Sequence, residues 1–148
     1  ESNWKRKGFL NKIFTKNEQL LIASAINPEE MVWNLWSRKE AAYKIYNRQT
    51  GFRGYIPLQL ECNYENRNLG TVSCKGHVFF TKTQISSEYI YTIAVTEKDF
   101  FNQIYQLNSG TTISKTNGIP YIIDEKTKTE KPASISHHGR FSESISLL

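Results

Sequence analysis

Trp36–Lys44, WSRKEAAYK, is the stretch on which the reading of this chain turns. It lies inside a run with a well-marked helix start. Asn27 can cap, Pro28 suits the first helical position, and Glu29 and Glu30 favour the positive end of the dipole. Val32, Leu35, Ala42, Tyr43 and Tyr46 then recur at helical spacing, and RQTGFRG, Arg48–Gly54, ends the helix at about Asn47. Residues four apart share a helix face, so Trp36, Glu40 and Lys44 form a line, with Lys39 next to Glu40. Spacing alone makes this a solvated stripe whose Glu–Lys pair is worth a few tenths of a kcal/mol, about 0.2–0.5. Its chemistry allows more: Glu40 could hold a hard cation and Lys44 could neutralise a phosphate. Magnesium usually takes one or two carboxylates, with substrate phosphates filling other positions.

Working outward, Thr15 and Glu18 in TKNE form a capping box ahead of QLLIASAI, so the front third reads as helical. The middle reads as strands. IPLQLECNY alternates, and GTVSCKGHVFFTKT and EYIYTIAVT are rich in β-branched and aromatic residues around the polar turn QISS. Thr96 opens TEKDFFNQIYQL as a short helix with Phe100, Phe101, Ile104 and Tyr105 inward. IPYII, the turn DEKTKTEK, and the closing strands ASISHH and SESISLL follow. Helices followed by strands predict an α+β domain with a mainly antiparallel sheet.

The 148 residues suffice for one domain with a real core and are few for two. No apolar run approaches the roughly 20 residues of a membrane span. Cys62 and Cys74 lack metal spacing and lie in strand-like segments, so buried free thiols in a reducing cytoplasm are expected. The net charge of +5 favours an anionic partner: nucleic acid, an acidic protein or a phosphorylated small molecule. A nucleic-acid reading would rest on that charge and on strand aromatics such as Phe79, Phe80, Tyr89 and Tyr91. Core and cross-strand pairing explains those more simply, and no nucleic-acid motif is present, so no nucleic-acid partner is expected.

A second candidate spot is SISHHGRF, Ser134–Phe141. A strand-end Ser136–His137 beside a loop arginine can hold a phosphate through hydroxyl, ring nitrogen and guanidinium, although a paired histidine at a strand end is more often structural. Neither spot completes a Ser–His–Asp arrangement, and no GxxxxGK loop occurs.

Four stretches, in order, resemble the 4′-phosphopantetheinyl transferase superfamily, in particular its short holo-acyl-carrier-protein synthase type. FLNKIFTKNE, Phe9–Glu18, is similar to the family's F..RIFT..E segment. WSRKEAAYK is similar to its (F/W)(S/A/T)xKEAxxK motif, the most specific of the four. NGIPYI, Asn117–Ile122, is similar to NGKPYI, and SISHHGRF to SITH...Y. The resemblance implies a compact α+β fold, a mainly antiparallel sheet packed on a long helix, as one domain over residues 1–148. It implies transfer of 4′-phosphopantetheine from coenzyme A to a serine of an acyl or peptidyl carrier protein, with Mg2+ as cofactor. Glu40 falls on the metal-binding carboxylate, Lys44 on the lysine at the pyrophosphate, Lys39 on a supporting position of the coenzyme A site, and Ser136 and His137 on the pair at coenzyme A phosphates. Short members form trimers, so a homo-trimer is implied. The carriers are acidic, which suits a basic protein, and Lys5–Lys7, Arg48 and Arg53 are candidates for their surface.

The chain departs from the family pattern in three places. No match to the N-terminal strand ending in G.D, whose Asp is the second metal ligand, lies within it, and Asp99 and Asp124 sit in the wrong context to replace that residue. KAxGTG becomes KIYNRQTG, Lys44–Gly51. Residues 66–114 have no equivalent in the short type and read as an inserted hairpin and helix. A domain of the same fold that binds coenzyme A or a carrier protein without transfer is the alternative. Fatty-acid, polyketide and peptide synthesis all remain open as the pathway served.

Overall fold

The computed structural model describes residues 3–107, 111–138 and 141–147, with side chains through residue 133. Contacts divide the chain into two compact units, Glu1–Thr96 and Glu97–Leu148.

The first unit places three helices before a four-stranded sheet. Helix α1, Phe9–Ile13, leads into α2, Lys16–Ser24. The capping box forms as the sequence predicts: Glu18 N–H donates to Thr15 Oγ1 at 3.3 Å, and Thr15 N–H donates to Glu18 Oε1 at 2.9 Å. Helix α3, Pro28–Thr50, is 23 residues long, or about 35 Å. Asn27 caps it by accepting from Glu30 N–H at 3.1 Å. The helix runs three residues past the expected end. Arg48, Gln49 and Thr50 are compatible with helix, and the actual breaker is Gly51, whose φ of 74° is left-handed and whose N–H closes on Asn47 O at 2.8 Å.

Strands β1, Leu60–Tyr64, β2, Leu69–Cys74, β3, His77–Ile85, and β4, Ile90–Val95, pair antiparallel in chain order. β1 starts later than IPLQLECNY implies, because Pro57–Gln59 forms a 3-10 turn. GTVSCKGHVFFTKT folds back on itself. Lys75 and Gly76, with φ of 47° and 86°, make the tight turn between β2 and β3, a twist that suits a two-residue hairpin.

Helix α3 packs on all four strands. Phe14, Ile22, Val32, Leu35, Ala42 and Tyr46 meet Leu60, Cys62, Val72, Cys74 and Phe79 in one core. Burial of each large apolar side chain there stabilises the fold by roughly 1.5–3 kcal/mol. Cys62 and Cys74 are buried free thiols, as expected. Polar links also tie helix to sheet: Ser37 Oγ donates to Thr92 Oγ1, which meets Thr83 Oγ1, both at 2.9 Å.

The second unit is a five-stranded antiparallel sheet in the order β5-β9-β8-β7-β6. Its strands are β5, Ile104–Gln106, β6, Ser114–Thr116, β7, Ile119–Ile123, β8, Glu130–His138, and β9, Phe141–Leu147. The expected helix over TEKDFFNQIYQL is only a 3-10 segment, Lys98–Gln103, and Ile104 and Tyr105 pass into β5. No side chain caps the start of that segment, and Phe100, Phe101, Ile104 and Tyr105 are all half-buried. Asn117 and Gly118, φ 53° and 82°, form the tight turn from β6 to β7. The α+β class and the antiparallel sheet on a long helix match the sequence expectation. No helix among the described residues is long and apolar enough to cross a membrane.

Candidate active site

Helix α3 presents chemistry on two faces. On the inner face Lys39 is fully buried. Its ammonium lies 2.5 Å from Glu18 Oε1 and donates to Ile13 O at 2.6 Å and Pro57 O at 2.7 Å. The other Glu18 oxygen accepts from Cys62 N–H at 2.7 Å. One buried ion pair thus ties the ends of α1 and α2, the turn before β1 and β1 itself to α3. Both charges are fully hydrogen-bonded, the condition under which such a pair is tolerated inside a protein. Lys39, which the resemblance sets at the coenzyme A site, is instead enclosed in the core with its ammonium taken up by these three partners.

Arg38 is also fully buried. Its Nε donates to Asn34 Oδ1 at 2.7 Å, and its Nη atoms donate to Leu69 O at 3.2 Å, Asn66 O at 2.8 Å and Arg67 O at 3.2 Å. The guanidinium packs on the Tyr64 ring at 4.8 Å. It clasps the turn between β1 and β2 so closely that a Cβ on Gly70 would lie 2.5 Å from Nη1.

The outer face carries Trp36, Glu40 and Lys44. Aromatic rings wall it on one side. Trp36 meets Phe9 at 6.3 Å, Trp33 at 6.2 Å and Tyr55 at 5.9 Å, and Tyr43 meets Tyr55 at 5.3 Å. The Trp36 indole N–H donates to the Glu40 carboxylate. Glu40 and Lys44 keep water-facing surface, yet the protein around them dehydrates both charges. Burial raises the Glu40 carboxyl above its ordinary value, while Trp36 and then Lys44 oppose the rise. Burial lowers the Lys44 ammonium, and Glu40 opposes the fall. Such a carboxylate is a better proton acceptor and such an ammonium a stronger anion partner than their fully hydrated counterparts, because each has less water to shed. Tyr55 stands beside them with a buried hydroxyl that finds no hydrogen-bond partner among the described residues. Burial, and then the Glu40 charge, push that phenol well above its ordinary range.

Ser136 and His137 lie on β8, opposite Glu143 and Ser142 of β9. Their side chains, and the loop residues Gly139 and Arg140, are outside the described residues. Asp124 follows directly on β7. It accepts from Lys126 and Thr127 N–H at 2.8 and 3.1 Å and pairs with Lys131 at 2.9 Å, contacts that hold its carboxyl well below the usual range. Among the described residues no group of three or more His, Cys, Asp or Glu side chains converges. The stripe therefore offers one carboxylate, Glu40, which fits a magnesium ion that also takes substrate phosphates.

The inner-face pair went unread in the sequence, although the signal was there. Lys39 is four residues after Leu35, seven after Val32 and seven before Tyr46, so helical spacing already set it on the apolar face. Glu18 was legible only as a cap.

The family model for the 4′-phosphopantetheinyl transferase superfamily matches residues 1–100, a span containing the whole first unit with α3 and its stripe. The chain belongs to the 4′-phosphopantetheinyl transferase superfamily. Its general activity is accordingly that of a transferase of the phosphopantetheinyl type. Ser136 and His137 fall beyond the matched residues. No curated protein and no solved structure matches the chain.

Proposed function

We infer that this protein moves 4′-phosphopantetheine from coenzyme A to a serine hydroxyl of an acyl or peptidyl carrier protein, and that Glu40 and Lys44 carry the chemistry. The observation behind this reading is their arrangement: a dehydrated carboxylate and a dehydrated ammonium one helix turn apart, facing solvent, within the family-matched unit. The serine oxygen attacks the phosphorus that bears pantetheine. The bond from that phosphorus to the bridging oxygen breaks, and 3′,5′-ADP leaves with the electron pair. The Glu40 carboxylate accepts the serine proton, and the Lys44 ammonium faces the charge that grows on the leaving phosphate. Glu40 would also hold Mg2+, which when bound neutralises phosphoryl oxygens. Trp36 orients Glu40 through its indole N–H, and Lys39 holds that turn of α3 in place. Ser136 and His137 are assigned to coenzyme A phosphates. A homo-trimer would bring them from a neighbouring subunit. The +5 charge favours encounter with an acidic carrier, in a reducing cytoplasm.

The test is a magnesium-dependent mass gain on an apo carrier protein, lost in Glu40→Gln. The stripe of Trp36, Glu40 and Lys44 carries one carboxylate, which favours one other reading, a domain that binds coenzyme A or a carrier without transfer. Coenzyme A binding with no mass gain on any carrier would select it.

A further inference from the structure

We propose that Tyr55 is a positioning residue for transfer: its ring, set against both Trp36 and Tyr43, fixes the direction of the Trp36 indole and through it that of the Glu40 carboxylate. This rests on the transferase reading above and adds to it a residue that lies outside α3 and outside the stripe.

Helical phase puts Tyr55 beside Glu40. Trp36 is four residues before Glu40 and Tyr43 is three after it. At about 3.6 residues per turn both lie on the same side of Glu40, about 40° and 60° round the axis, one before it along the helix and one after. A ring that meets both therefore spans the flank of Glu40. Tyr55 does so edge-on, at 5.9 Å and 71° to Trp36 and at 5.3 Å and 71° to Tyr43.

Among the described residues three rings meet Trp36, and they differ. Trp33 belongs to α3 and moves with it. Phe9 of α1 lies nearly flat on the indole, at 22°, a stacking along which one ring can slide over the other. Tyr55 meets the indole edgewise from outside the helix and stops that slide. The chain around Tyr55 is itself anchored, because Pro57 O, two residues on, accepts from the buried Lys39 ammonium at 2.7 Å. The Trp36 N–H donates to Glu40, so a turn of the indole would carry the carboxylate with it. The ring carries this role, since the Tyr55 hydroxyl has no hydrogen-bond partner among the described residues. Simple filling of space would be met by leucine, whereas edge-on contact with two rings would not.

Transfer from coenzyme A to an apo carrier protein by Tyr55→Leu, Tyr55→Phe, Trp36→Phe and the double variant Trp36→Phe/Tyr55→Leu tests the assignment. Tyr55→Leu should lower kcat roughly 10- to 100-fold with the KM values for coenzyme A and carrier unchanged. Tyr55→Phe returns the ring and should return the wild-type rate. In the Trp36→Phe background, Tyr55→Leu should cost no more than about twofold further, because the indole N–H through which it acts is gone. Hydrogen exchange gives a readout apart from activity: the Trp36 indole N–H should exchange faster in Tyr55→Leu, as in Glu40→Ala, and at the wild-type rate in Tyr55→Phe. A loss in Tyr55→Phe equal to that in Tyr55→Leu, a loss confined to KM, a Trp36→Phe as active as the wild type, or a full further loss in the double variant would overturn the proposal. Failure of Tyr55→Leu to fold would overturn it too, since Tyr55 would then be a structural residue. Each of these outcomes leaves the transferase reading standing. A wild type that gives no transfer with any carrier would overturn both.

Discussion

Lys39 and Lys44 are five residues apart on one helix and have opposite fates. Lys39 is sealed in the core, its ammonium shared among a carboxylate and two carbonyls. Lys44 stands on the outer face with exposed surface, although burial lowers its pKa. The residue type is the same, and helical phase decides whether it is sealed in the core or left on the outer face. Arg38 and Arg48 repeat the contrast, one fully buried on backbone carbonyls and the other half-exposed on the stripe.

The comparison breaks first, and most visibly, at the inner face. Lys39→Ala leaves the Glu18 carboxylate buried without its cation, and breaking such a pair costs about 3–5 kcal/mol. Urea unfolding of Lys39→Ala and Lys44→Ala should therefore separate them sharply, because the outer lysine should change stability by no more than about 0.5 kcal/mol. Similar midpoints for the two would end the distinction between the faces.

Activity should show the reverse order. Glu40→Gln should lower transfer by about 10²–10⁴-fold, and Lys44→Ala by a comparable factor, with folding intact. A smaller effect is expected at Tyr55. Its hydroxyl has no partner among the described residues, so Tyr55→Phe should hold or raise stability, by up to about 1 kcal/mol. A clear loss on thermal melting would mean that the hydroxyl is used.

The smallest effect is a pH dependence. The folded protein holds the Glu40 proton to higher pH than the unfolded chain does, because burial raises that carboxyl. Its contribution to stability therefore falls as pH rises from the unfolded value through the raised one. Glu40→Gln should remove that decline, so the two melting curves should draw apart across the mildly acidic range. Parallel curves would show that Glu40 is hydrated like any surface carboxylate.

Local signals were legible in the sequence. Thr15 with Glu18, and Asn27 with Pro28, mark both main helix starts because a cap involves only residues within a turn of one another. The stripe was legible for the same reason. The Lys75–Gly76 turn was not, since lysine is an ordinary strand-edge residue and only the pairing of β2 with β3 fixes its positive φ. TEKDFFNQIYQL reads as one short helix from its apolar spacing, which does not reveal that only Lys98–Gln103 will coil and that β9 will claim Ile104–Gln106 as a strand. The Glu18–Lys39 pair joins residues 21 positions apart and needed the packing of α2 on α3 to become visible.

The most direct measurement is intact-mass analysis of an apo carrier protein after incubation with coenzyme A, Mg2+ and either the wild type or Glu40→Gln, with both proteins matched for melting temperature. A phosphopantetheine mass gain with the wild type that vanishes in the folded Glu40→Gln variant is the predicted result. Undiminished gain with Glu40→Gln would contradict the assignment of the chemistry to the outer face of α3.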